Sequence, residues 1–241
     1  MLQKQKVIII GASSGMGREL AKLYAKNNCI VGVTGRRIHL LNALRDEFPG
    51  NIIPECFDVT SGENLEHLKY LIQQTGGMDL LIYCSGSGEP SEQLDMEIDS
   101  RTVKTNVAGF TEIINFAFNY FLKQGSGHIA AISSIAACRG SSHAPAYSAS
   151  KAFMSNYMEG LFIKASKLKC SIYTTDIQPG FVKTSMAKGY GQFWIAPVEK
   201  AAAQIYAALA AKKRKVYITK RWRIIAWLMH AMPLWMYKKI G

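Results

Sequence analysis

The 241-residue chain predicts an α/β fold, a doubly wound seven-stranded parallel sheet with helices on both faces. Three observations carry this expectation. Short apolar runs alternate with longer helical patterns, the signature of βαβ units. The runs are continuously apolar rather than alternating, as in strands covered on both faces. A glycine-rich turn, GASSGMG, follows the first run and opens the first helix.

In chain order, strands are expected at 6–10, 29–35, 52–59, 78–86, 127–134, 170–180 and 215–219. Helices are expected at 15–28, 38–48, 63–74, 100–123, 147–168 and 197–212, the last opened by Pro197 with Glu199 in its first turn. No fixed-period repeat or Gly/Ser/Pro-rich linker divides the chain, so residues 1–219 are expected to form one domain. Residues 185–197 would form a lid over the substrate, and 220–241 a C-terminal tail. Ligands of such sheets bind beyond the carboxyl ends of the strands, near the point where strand order reverses.

Composition narrows the function. Cys29, Cys56, Cys84, Cys138 and Cys170 are scattered, odd in number and never in CxxC spacing, against a disulfide framework or a zinc site. The five histidines also lack ligand spacing, so no metal is expected. The N-terminal MLQKQKVIII has only a short apolar run and no small-residue cleavage site, which points to a cytoplasmic protein. The net charge is +12, yet residues 212–241 hold nine Lys/Arg and no Asp or Glu, leaving +3 on the first 211. The basic character belongs to the tail, and no nucleic acid is expected as a partner.

Two stretches carry chemistry. In the glycine turn, Gly11, Gly15 and Gly17 would let backbone approach a pyrophosphate at a helix N-terminus, with Ser13, Ser14 and Met16 between them. In AYSASKA, Tyr147 and Lys151 stand four apart, hence on one side of a helix. Alone, that pair reads as an ordinary surface contact. It also reads as a phenol beside an ammonium that favours the phenolate.

The GxxxGxG spacing, with Ser134 thirteen residues before Tyr147 and Lys151 four after it, resembles the short-chain dehydrogenase/reductase family. Asp58-Val59, Asn106 and Pro179-Gly180 follow in the same order, and the resemblance runs from Val7 to about Thr219. One mark departs: Tyr83-Cys84-Ser85-Gly86 stands where the family shows NNAG, so support of the central strand must be rearranged while Gly86 is kept. The resemblance implies a Rossmann-like fold with Tyr147 as general acid/base, Lys151 lowering its pKa and binding ribose, Ser134 holding the carbonyl oxygen, and Asn106 holding a relay water. Ser133 competes with Ser134, but the spacing favours Ser134 and leaves Ser133 a strand-end structural hydroxyl.

The same resemblance implies cofactor contacts at Asp58, Val59, Gly86, Pro179, Gly180, Val182 and Thr184. The family's acidic position is Gly35, followed by Arg36 and Arg37, which suits the 2′-phosphate of NADP(H) over NAD(H). Ser14 is a point against, since many NADP-binding relatives carry a basic residue there. The expected activity is hydride exchange between NADP(H) and a carbonyl or secondary alcohol, with a lipophilic substrate suggested by the apolar lid and tail; Phe193, Trp194 and Ile195 would either wall an apolar pocket or belong to the core. The alternatives are an idle NADP-binding sensor or scaffold, and a sugar-nucleotide epimerase or dehydratase.

The tail, KRWRIIAWLMHAMPLWMYKKIG, holds three of the four tryptophans and fourteen uncharged residues between Arg223 and Lys238, too few to span a bilayer. Peripheral association with the inner face of an anionic membrane is favoured over burial in a homo-oligomer interface or against the substrate pocket. Pro233 would kink the segment in each case.

Overall fold

The computed structural model describes residues 4–90, 93–184 and 193–239. Seven strands, β1 (Lys6–Ile10), β2 (Ile30–Gly35), β3 (Ile52–Cys56), β4 (Leu80–Tyr83), β5 (Ser126–Ile132), β6 (Ser171–Pro179) and β7 (Lys215–Ile218), form one parallel sheet. Their order is β3-β2-β1-β4-β5-β6-β7, so the winding direction reverses between β1 and β4. The turns leaving those two strands meet at the carboxyl edge.

Register explains the apolar runs. Val7 and Ile9 face α1 (Gly15–Lys26), α2 (Ile38–Glu47) and α7 (Val198–Ala210), in a core with Leu20, Tyr24, Leu44 and Ile205. Ile8 and Ile10 face the opposite way, with Leu68 and Leu71 of α3 (Asn64–Thr75) and residues of the two central helices that follow. Both faces of β1 are dry, so alternation has no polar phase to show.

The helix expected at 100–123 differs. It begins four residues earlier as α4 (Met96–Val103), where Asp95 caps the backbone N–H groups of Glu97 and Ile98 at 2.8 and 3.3 Å. It then widens into a π turn over Lys104–Gly109 before continuing as α5 (Phe110–Gln124). Two contacts accompany the widened turn. Gly109 lies so close to Val59 that a Cβ there would be 2.3 Å from the Val59 carbonyl oxygen. The buried Tyr83 hydroxyl donates to the Thr105 carbonyl at 2.7 Å, its ring edge-on to Phe110. This tyrosine is the rearranged support of the central strand. β4 itself is shorter than expected, because residues 84–88 leave the sheet to cover the site.

Next, α6 (Pro145–Ser166) opens with proline in its first turn and completes the second face with Met154 and Met158. The tail forms α8 (Trp222–Ala231) and α9 (Leu234–Tyr237), separated at Pro233.

Tyr83→Phe removes the donor but keeps the ring, leaving a buried carbonyl in the π turn without its partner. It should destabilise the protein by about 1–3 kcal/mol in urea unfolding. Tyr70→Phe on the exposed side of α3 serves as control and should change little. Equal effects would mean that the Tyr83–Thr105 bond does not support the turn.

Candidate active site

The glycine turn brings three segments together. Gly11 has φ +88°, and a Cβ on it would stand 2.7 Å from the Ser85 backbone nitrogen; one on Gly17 would stand 2.2 Å from the Gly11 carbonyl oxygen. Strand, turn and helix therefore pack backbone to backbone, with the β4 loop against them. Ser14 precedes α1 without a side-chain cap bond, and no acidic residue occupies the first turn. Its hydroxyl and that of Ser13 instead accept from Arg37 Nη2, each at 2.8 Å. The open N–H groups of α1 suit an anion. Met16, partly buried, packs against the core.

The run after β6 covers the same turn. The Thr184 methyl lies 3.4 Å from where a Gly15 Cβ would be, buried Val182 bridges to Ala196, and the Gly180 N–H donates to Ile218 at 2.6 Å beyond Pro179. Of the lid expected at 185–197, residues 185–192 lie outside the described residues.

Arg36 reaches Asp58 at 3.5 Å across the exposed end of β2. Burial pushes the Asp58 carboxyl up, but hydrogen bonds from the Thr60 N–H and hydroxyl, both 2.9 Å, together with Arg36 hold it below the usual range. Asp58 is thus a turn aspartate with an arginine beside it. The neighbouring Val59 carbonyl accepts from Asn64 at 2.9 Å. The glycine turn and the open helix end fit the pyrophosphate of a dinucleotide.

The reactive groups converge beyond β5. Ser134 opens a short 3₁₀ turn, Ile135–Cys138, where its Oγ accepts from the Ala136 N–H at 3.1 Å and also bonds Tyr147. Tyr147 and Lys151 lie one turn apart on α6. Lys151 is buried, donates to the Ile132 carbonyl at 2.9 Å and stands 5.8 Å from the Tyr147 ring centre.

Burial pushes the Tyr147 phenol up, with the Ser134 hydrogen bond pulling the other way. The expected lowering by Lys151 is not what sets it here. Burial brings Lys151 itself down to about 8, opposed by Cys84 and Asp176.

Asn106 is not a surface amide. It is fully buried in the π turn. Its Oδ1 accepts from the Ser87 N–H at 2.8 Å, and its Nδ2 donates to the Ser87 carbonyl at 2.7 Å and the Ser150 hydroxyl at 2.9 Å. Gly86 lies between Ser85, which packs on Gly11, and this clamped Ser87. The next residue, Gly88, lies on the Tyr147 ring: a Cβ there would be 2.1 Å from Tyr147 Cδ2.

Two features escaped the sequence reading. Gly88 carries no local signal. Asp176 does, as a carboxylate inside an apolar strand, which must find partners. It accepts from Ser133, from Ser155 at 2.6 Å and from Gln178 at 2.9 Å, with Lys215 at 3.9 Å. Ser133 is the structural hydroxyl expected. Among the described residues no group of three His, Cys, Asp or Glu could hold a metal.

Residues 5–193 match the short chain dehydrogenase family model, and the chain belongs to this family of oxidoreductases. An oxidoreductase of Myxococcus xanthus is 35% identical over 185 residues, 74% of this chain and 72% of the relative. One from Staphylococcus haemolyticus is 34% identical over 191 residues, covering 78% and 82%. Among solved structures, ElxO with NADP bound superposes with a TM-score of 0.79 at 21% identity, over 90% of this chain and 97% of that one. A short chain dehydrogenase/reductase of Burkholderia phymatum in complex with NAD gives 0.84 at 17%, over 94% and 92%. These two share the fold.

Folded Lys151 gives up its proton near pH 8, whereas an unfolded lysine keeps it to about 10.4. Between these values the unfolded chain binds more protons, so the Lys151 contribution to stability rises with pH, by up to about 1.4 kcal/mol per unit. Urea unfolding of wild type and Lys151→Met should therefore differ increasingly in favour of wild type from pH 8 to 10. Below pH 7 the difference should be level. A level difference throughout would place the Lys151 ammonium in water.

Proposed function

We propose that the chain is an NADP-dependent reductase of lipophilic carbonyl compounds, reversible towards secondary alcohols. The observation that carries this reading is the bonded Ser134–Tyr147 pair with buried Lys151 one turn behind it, at the sheet edge that holds the glycine turn. Bound NADPH supplies the hydride. Ser134 would hold the substrate oxygen and Tyr147 would deliver the proton to it. The raised phenol stays protonated at neutral pH, which suits reduction, and the nearby Lys151 ammonium offsets the phenolate left behind. Asn106 acts as a positioning residue, through Ser87 and Gly88.

The fold alone accommodates either nicotinamide cofactor, NADP in ElxO and NAD in the Burkholderia protein. Support for NADP comes from Arg36 and Arg37 at the end of β2, where no acidic residue stands to bind a ribose hydroxyl. Phe181, Phe193 and Trp194 at the lid stem favour an apolar substrate.

NADPH oxidation should be screened against steroid, retinoid, acyl and sugar ketones, with turnover expected on at least one apolar ketone. On that substrate, Tyr147→Phe should lose about 100-fold or more in rate while NADPH affinity stays within about twofold. Retention of more than about a tenth of the rate would remove Tyr147 from the proton-transfer role.

Replacing both Arg36 and Arg37 with Ala should erase most of the preference for NADP(H), measured as the ratio of dissociation constants for the two cofactors. An unchanged ratio would locate the phosphate contacts elsewhere.

A further inference from the structure

A tail that reads as apolar all round divides into two faces. On α8, Trp222, Ile225, Ala226 and Met229 form a stripe turned towards the domain, with Trp222 and Ala226 fully buried. Ile224, Trp227, Leu228 and Ala231 form an opposite, exposed stripe that continues through Leu234, Trp235 and Met236 of α9. Ile224 is 61% exposed, Trp227 67%, Leu234 71% and Trp235 63%.

The inner stripe holds the tail in a defined place. Trp222 lies against Gly180, where a Cβ would come within 1.9 Å of the indole, and its ring contacts Phe181, Phe193 and Trp194 at 5.4, 5.0 and 6.0 Å. Its Nε1–H has no hydrogen-bond partner among the described residues. Burying an indole gains more than an unpartnered N–H costs, so packing wins. At the other end, the Tyr237 hydroxyl donates to Gly140 at 2.8 Å and Arg139 lies 4.8 Å over its ring. The outer stripe is therefore a fixed surface. The start of α8 adjoins exposed Phe193, Trp194 and Ile195 at the lid stem, since Trp194 touches Trp222 and Arg221.

We propose that this face docks on an anionic lipid bilayer, in its plane. Charge selects the occupant. Lys220, Arg221 and Arg223 stand before or at the start of the apolar stripe and Lys238 and Lys239 after it, with no acidic residue from 212 onward. A second copy packed face to face would bring five cations against five with no carboxylate from either tail to neutralise them. Anionic headgroups neutralise them, while Trp227 and Trp235 match the boundary between headgroups and acyl chains. The ten residues of α8 cover about 15 Å, too short to cross, and no described helix is long and apolar enough to span a membrane.

The test uses the full-length protein with phosphatidylcholine vesicles, with or without phosphatidylglycerol, at low salt. Co-sedimentation should need phosphatidylglycerol, weaken at high salt and be accompanied by a blue shift of tryptophan emission. The variant Trp227→Ser/Leu228→Ser/Trp235→Ser, changed only at exposed positions, should lose vesicle binding at least tenfold while binding NADPH like wild type. Wild type remaining in the supernatant, or wild type and variant sedimenting alike, overturns the proposal. So does a wild-type dimer that the triple variant dissociates, which would make the face an interface between copies. Sedimentation is read without turnover, so the result is independent of the catalytic reading.

Discussion

The side-chain amide of Asn106 pairs with both backbone groups of Ser87, doing for that residue what a neighbouring strand would do. β4 has ended at Tyr83, and the loop beyond Cys84 lies outside the sheet. Buried peptide groups must be paired, and only a side chain on the adjoining helix is in reach. The π turn places the amide there, and the same Nδ2 ties in Ser150 on α6. One residue thus joins the loop after β4, the helix after it and the helix that carries Tyr147 and Lys151. Gly88 can lie on the Tyr147 ring because its neighbour is clamped.

Charge around Lys151 is balanced at a distance. An ammonium in a dry site tends to lose its proton, and among the described residues nothing anionic touches it directly; its near partners are the Ile132 carbonyl and the Met154 sulfur. Asp176 lies within electrostatic range, held by Ser133, Ser155 and Gln178. A direct ion pair would fix the ammonium against a carboxylate. A carboxylate held apart supports the charge and leaves the ammonium turned to a carbonyl, a partner it can exchange. Cys84 adds a buried thiol, itself pushed up to about 12 by burial.

The features legible in the sequence are those set by local pattern. The run Val7–Ile10 is apolar on both faces because both are covered, and the glycines of the first turn are needed where backbone meets backbone. The proximity of Ser134, Tyr147 and Lys151 is legible from their spacing, since one strand end and one helix fix their geometry. The π turn was not legible, because its contacts lie at Val59 and Tyr83, far away in sequence. Gly88 was missed for the same reason, its contact being a ring 59 positions later. Asp176 was legible in principle: an acid in TTDIQPG had to be paired. The tail looked apolar on every side because both its faces are apolar, one turned to the domain and one to the outside.

Gly180 has a consequence for that tail. Its missing side chain is the socket for Trp222, and the same short run continues through Val182 to Thr184 above the glycine turn. The residue that seats the tail and the residues that roof the cradle are thus a single stretch of backbone. Binding energies on one backbone cannot be independent unless that backbone is indifferent to both events. Whatever factor an occupied cradle contributes to seating the tail, a seated tail returns to the cradle by the same factor, as thermodynamic reciprocity requires.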